Sequence, residues 1–453
     1  MTPPSRRSIA RPPRVWPAIL ALPALFVLAA FLVLAAPARA GTVTSNPVPL
    51  QDGSCPGIAA SDGSTAHALY EYQITQTGAI QGIKLLYADV QPPDRRTAFL
   101  AQTQACLGGW RFRPATVDGT PAATLMKAAF HRLPPAPRNG PEVLLPGGHV
   151  VSLTLLDQIR AATLKFTETL LTGRGYLEAR GKGWFLRTDL PKSALDDLQR
   201  TLDFAKEAFT DAFPGGTEPA ASQDVTIILF KDQEKYQQLA AFDNLVPERS
   251  PVAGHYNPQV RIIYAAQGNQ PMPIFARVIA HEATHHFAQL RLARPNEYLP
   301  RWLNEGTAMF VESIKMAKPG KVRLDALDRG DVTQPAALIT RDGTASGAWM
   351  WRKTVENALP LLAENLGDYD IGALVDGRLD QYFFDNSMQV QYAVSWLLVH
   401  TLLTGEAGRY REAFRAWAAG AGATRDATTL GAALGIPMPD LHRAMEKHLK
   451  EIQ

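Results

Sequence analysis

His281, Glu282 and His285 are the side chains of this 453-residue chain whose types and spacing point most directly to chemistry. Imidazoles four residues apart stand one turn apart on the same face of an α-helix, so both can reach a single ion. Glu282, beside the first of them, is placed to take a proton from a water on that ion. Glu305 offers a third donor downstream. Two histidines plus one carboxylate leave a fourth position for water, which is the donor set of a hydrolytic zinc site and not of a closed structural one.

Two helices must position these groups. Ile274, Val278, Ile279, Phe287 and Leu290 recur at helical spacing with no Pro or Gly between the first and the last. That pattern predicts one helix carrying His281 and His285. Pro300 reads as a first-turn residue, and Trp302, Leu303, Thr307, Met309 and Phe310 make a mostly apolar second helix. Gly306 inside it costs about 1 kcal/mol relative to Ala. Close packing of that backbone against the first helix would account for the cost.

His-Glu-Ala-Thr-His at 281–285, followed by Arg-Trp-Leu-Asn-Glu-Gly-Thr-Ala at 301–308, resembles the gluzincin metallopeptidases. This is the peptidase MA group, to which thermolysin and aminopeptidase N belong. Trp-Leu-Asn-Glu-Gly is close to the aminopeptidase form of the second helix. The resemblance implies one zinc ion held by His281, His285 and Glu305, with Glu282 as general base. Two departures matter. The chain has no Gly-Ala-Met-Glu-Asn type motif to grip a substrate amino terminus, which argues against an aminopeptidase. Met309 stands where thermolysin-like enzymes place a carboxylate that orients a ligand histidine, so that support must come from elsewhere.

Residues 1–40 read as a targeting segment. Arg6, Arg7, Arg11 and Arg14 precede an apolar run from Val15 to Ala36, and Ala38-Arg39-Ala40 offers a small-x-small cleavage site before Gly41. Uncleaved, the run is long enough to anchor the chain in a membrane. The formal charge of +3 includes five leader arginines and no leader acid, so the mature chain carries 3 − 5 = −2. The basic balance belongs to the leader and gives no reason to expect nucleic acid. Export to the periplasm or cell envelope makes a disulfide between Cys55 and Cys106, the only two cysteines, the natural reading. Two buried thiols are the alternative.

Residues 42–133 pattern as a small α+β module. Strands from Tyr70 to Thr75 and from Ile80 to Val90 flank a turn at Gly78, and a helix runs from Arg96 to Leu107. A third strand begins at Trp110 and a fourth runs from Ala123 to His131, with a turn at Asp118-Gly119. Within it, Trp-x-Phe-x-Pro-Ala at 110–115 and Gly-x-Pro at 119–121 resemble the C-terminal domain of TonB energy transducers. That resemblance implies contact with an envelope protein. Five prolines, the first Pro134 and the last Pro146, make 134–149 a semi-rigid linker and predict units able to fold apart.

From 150 to 316 the sequence predicts helices over Leu153–Leu171, Ser193–Phe213 (with Ser193 as cap) and Gln233–Phe242. They alternate with a hairpin around Gly181-Lys182-Gly183, a buried strand from Val225 to Phe230, and a last strand near Val260–Tyr264. In gluzincins an edge strand pairs with extended substrate, and by that resemblance Val260–Ala265 is the expected strand.

Residues 317–453 read as mostly helical, over Thr354–Leu366, Ser387–Leu403, Gly408–Ala419 and Met438–Ile452, like the half that closes gluzincin clefts. Tyr392 shares a polar line with Ser387, Gln391, Ser395 and His400. It either hydrogen-bonds a tetrahedral oxyanion or packs with Trp396 in the bundle core. His286 reads as a supporting or surface residue rather than a fourth ligand, and His255 as a turn histidine, with cleft lining as its alternative. The fold class is α+β and the activity peptide-bond hydrolysis by a zinc metallopeptidase acting on a peptide or protein. A zinc-binding envelope scaffold without turnover, or a hydrolase of non-peptide amides, would use the same residues.

Overall fold

The structure, a computed structural model, describes residues 32–34, 43–45, 47–50, 64–133, 142–144, 150–171, 175–215, 224–243, 254–293, 298–315, 322–327, 354–380, 388–420 and 424–453. It is mixed α and β, as the sequence predicts. The leader run lies outside the described residues except for Leu32–Leu34, a short strand antiparallel to Leu125–Lys127. Cys55 and most of the proline-rich stretch also lie outside them. Among the described residues no helix is long and apolar enough to cross a membrane.

The N-terminal part is built on β1 (Thr65–Ile74), β2 (Ile80–Gln91) and β3 (Thr124–Arg132), antiparallel in the order β3-β1-β2, with α1 (Arg96–Gly109) packed on one face. The strand expected from Trp110 does not join this sheet. Pro114 has no N–H for a ladder. The chain there breaks into Phe112–Arg113, paired with Val48–Pro49, and a small hairpin of Ala115–Val117 with Thr120–Ala122. Asp118 and Gly119 both take positive φ, 50° and 76°, as an Asp-Gly hairpin turn requires. Cys106 of α1 is disulfide-bonded.

The second sheet has β4 (Leu177–Gly181), β5 (Trp184–Thr188), β6 (Val225–Phe230), β7 (Gly254–Asn257) and β8 (Ile262–Ala266) in the order β4-β5-β6-β8-β7. β5, β6 and β8 run parallel, and the two outer strands run antiparallel to their neighbours. Parallel neighbours need crossovers, which α3 (Lys192–Ala212) and α4 (Gln233–Asp243) provide on opposite faces. Val-Thr-Ile-Ile-Leu-Phe in β6 is buried at every position because both faces are covered. Val225, Ile227 and Leu229 join a core with α3 and the helices that follow, whereas Ile228 and Phe230 pack with α4 and α2 (Leu153–Leu171). Ser193 lies inside the first turn of α3 and caps nothing, since that helix begins after Pro191.

α2 and α4 are held between the two sheets. Leu69, Ala129 and Leu133 of the N-terminal part share a core with Ile159, Phe166, Tyr236 and Phe242 of these helices. Tyr87 and Phe166 meet with ring centroids 4.4 Å apart, and Lys127 Nζ sits 3.3 Å from Glu71 and 3.0 Å from Glu234. The linker predicted units able to fold apart, but this seam joins them across a buried face.

Beyond the second sheet come α5 (Met272–Leu292), α6 (Arg301–Ser313), α7 (Thr354–Asn365), α8 (Met388–Gly408), α9 (Arg411–Ala419), α10 (Ala427–Leu434) and α11 (Met438–Ile452). α8 leaves helical geometry at Gly405–Ala407, so α9 starts later than the sequence suggests. The close approach that requires Gly306 is to α8 and not to α5. A Cβ there would lie 2.4 Å from the Ser395 carbonyl oxygen.

Candidate metal centre

α5 and α6 lie against each other, and almost every residue from Phe275 to Ala288 is buried. His281 and His285 present their imidazoles from one face of α5, with centroids 4.6 Å apart and planes at 89°. From α6, Glu305 places Oε2 3.5 Å from Nε2 of each histidine. One donor atom from each of the three residues lies within 4.8 Å of the others. A tetrahedral ion with bonds of about 2.0–2.1 Å would hold its donors about 3.3–3.4 Å apart, so the set is sized for one ion. Glu305 Oε2 is buried between the two imidazoles, where a cation would satisfy it. The three expected ligands are thus brought together, and they can hold a metal.

The electrostatics run the same way. Burial alone would push His281 down, but the Glu305 and Glu312 carboxylates raise it to about 10. Burial would raise Glu305, yet His285 and His281 hold it down at about 2. His285 is lowered to about 4 by burial, which outweighs the pull of Glu305. The pocket is a place where positive charge is favoured.

Glu312 is the residue at this cluster that sequence reading missed. It lies seven residues, two helical turns, beyond Glu305 and therefore on the same face of α6. Its Oε2 is 3.3 Å from His281 Nδ1 and its side chain is wholly buried. Glu305 thus faces one nitrogen of His281 and Glu312 the other. A carboxylate thus stands behind His281, though not at position 309. Looking one turn past Met309 would have found it. Asn304 lies against His285 as the corresponding neighbour. Glu282 is buried beside His281 without belonging to the three donors.

Other expectations shift. Val260–Ala265 is not the edge: Ile262–Ala266 (β8) lies between β6 and β7, and β7, Gly254–Asn257, is the outer strand. The sequence predicts one last strand here, and that Gly254–Asn257 forms a second one outside it is a matter of tertiary pairing. His255 belongs to β7 rather than a turn, and its Nδ1 is 3.2 Å from the Tyr236 hydroxyl of α4. That is the sheet face opposite α5. His286 is fully buried, with Nδ1 3.0 Å from the Tyr256 hydroxyl. Tyr392 stands half-buried on α8, one turn before Trp396, whose Nε1 donates to Ser313 Oγ at 3.0 Å. A cavity of about 280 Å³ opens between α3 and α5. It reaches Glu312 but touches none of His281, Glu282, His285 or Glu305.

Compared with descriptions of known protein families and with curated proteins, the chain matches none.

Proposed function

We propose that this protein is a zinc metallopeptidase of gluzincin type, exported to the cell envelope, that hydrolyses peptide bonds. The observation that carries the reading is the convergence of His281, His285 and Glu305, buried and within 4.8 Å of one another, beside the buried carboxylate of Glu282, which is not among the donors. Zinc is the ion because two imidazoles and one carboxylate, with a fourth position left open, are its catalytic donor set. When bound, zinc supplies Lewis acidity that activates water and polarises the scissile carbonyl.

The chain's own residues do the rest. Glu282 accepts the proton of the attacking water and returns it to the leaving amine. Glu312 keeps the His281 ring in one orientation and, as its hydrogen-bond acceptor, makes the coordinating nitrogen more basic. Among the described residues β7 pairs with β8 alone, antiparallel, and an extended substrate can add along its other side as a further strand. Tyr392 is the residue proposed to steady the developing oxyanion. In this reading the N-terminal part is a TonB-C-like module, closed by a disulfide between Cys106 and Cys55, that contacts an envelope protein.

The test is Glu282→Gln, which is nearly isosteric and removes no ligand. It should keep about one zinc per chain while turnover of unfolded peptides falls by about 10²–10⁴. An unchanged rate in zinc-replete Glu282→Gln would end the general-base mechanism. A parent protein with stoichiometric zinc and no peptide turnover would favour a scaffold, or a hydrolase of non-peptide amides.

A further inference from the structure

Neighbouring residues on one helix can serve two purposes. Successive α-helical side chains are about 100° apart, so with His285 turned toward Glu305, His286 is turned elsewhere. It points to the sheet. His286 Nδ1 shares a 3.0 Å hydrogen bond with the Tyr256 hydroxyl, and the two rings meet edge to face at 5.5 Å and 77°. Tyr256 is the third residue of β7, the outer strand.

A four-residue strand that pairs, among the described residues, with one neighbour needs further support, and four ties to the described residues supply it. A Cβ at Gly254 would lie 2.8 Å from Ala265 Cβ and 3.3 Å from Val278 Cγ1, so the bare glycine lets the strand lie directly on α5. His255 meets Tyr236 of α4. Asn257 Nδ2 donates at 2.7 Å to Asp243 Oδ2, and Thr163 of α2 donates at 3.0 Å to the other oxygen of that carboxylate. Of these four, only the Tyr256–His286 pair is a hydrogen bond to the helix that carries the ligands.

We infer that His286 is a positioning residue which, through Tyr256, fixes the height of the β7 edge above His281 and His285. An extended peptide paired to that edge then presents its carbonyl at the metal. The inference rests on the hydrolase reading above. Geometry explains why such a strut would matter: a misplacement of about 1 Å can cost on the order of 10² in rate. It also gives buried His286 a task other than metal binding.

The experiment compares Tyr256→Phe, His286→Phe, the double variant and His286→Asn, whose amide branches where the imidazole does and can replace the Nδ1 contact. Three readouts are taken: zinc per chain, amide hydrogen exchange of residues 254–257, and kcat and KM for a peptide of at least six residues. Tyr256→Phe and His286→Phe should each keep zinc and speed exchange in β7 by about tenfold or more, with exchange in β6 unchanged. kcat/KM should fall about tenfold, with most of the loss in kcat. The double variant should be no worse than either single one, and His286→Asn should recover part of the loss. Unchanged β7 exchange in Tyr256→Phe, or additive single effects, would overturn the inference. So would loss of zinc in His286→Phe with zinc kept in Tyr256→Phe. Tyr256→Phe removes one oxygen and still decides the matter if His286→Phe does not fold. If the parent binds zinc but cleaves nothing, the hydrolase reading fails by itself, and exchange and zinc content still judge the strut.

Discussion

Two of the buried histidine pairs among the described residues have opposite surroundings. His281 and His285 stand on one helix with Glu305, Glu312 and Glu282 around them. His67 and His131 stand on paired strands in the seam between the two sheets, their Nδ1 atoms 2.8 Å apart. His131 Nε2 donates to the Phe242 carbonyl at 2.8 Å, so His131 Nδ1 is the acceptor and His67 Nδ1 the donor. Burial keeps both rings neutral, which is what makes that assignment hold. Burial pushes His67 down to about 3, with His131 and Lys165 adding to it, and burial pushes His131 down to about 4 against the Phe242 carbonyl. Burial is common to both places. The carboxylates decide which pair becomes a site for positive charge and which is a neutral hydrogen-bonded link.

The comparison can be broken most severely at Glu305. Glu305→Ala leaves both histidine pairs in place but should lose stoichiometric zinc and activity together. Zinc retained at one ion per chain, measured by atomic spectrometry after dialysis, would mean that the carboxylate is not what separates the two pairs. The next largest effect concerns the seam itself. A chain starting at Val150 would bare Phe166 and Phe242 to water, so it should have a lower urea midpoint than the parent and bind a dye for exposed apolar surface. Equal midpoints would show that the two parts are independent after all.

A smaller loss is expected at Glu312. Glu312→Gln keeps shape and removes charge behind His281, and should weaken zinc affinity by about 10–100-fold, read by competition with a chelator. An unchanged affinity would reduce Glu312 to packing. The smallest effect is one of slope. His67 and His131 titrate near 6.5 when unfolded but only near 3 and 4 when folded. Below about pH 6.5 the unfolded chain takes up protons that the folded one refuses. Their contribution is therefore complete above that pH and is lost as pH falls toward about 4. His67→Gln should make the urea midpoint less steep between pH 7 and pH 4.5, and an identical slope would exclude the seam pair as its source.

Local spacing made much of this protein legible. The four-residue interval between His281 and His285 needs only a helix to put both rings on one face, and the apolar rhythm around them requires that helix. The continuous run of β6 announced burial on two sides. Asp118-Gly119 announced its turn. What sequence alone left open was which elements lie side by side. Glu312 reads as an ordinary carboxylate until α6 packs on α5 and brings it to His281. One strand was expected just before α5, but that Gly254–Asn257 forms a second one outside it depends on how the strands pair with β6 from far along the chain. Gly306 signalled a close approach without saying that α8 makes it. The proline-rich stretch looked like a spacer, and only folding showed two sheets sharing α2 and α4 as a common filling. Spacing within an element follows from helix and strand geometry, which each residue carries with it. Contacts between elements follow from which apolar faces find each other, and no single stretch of sequence contains both faces.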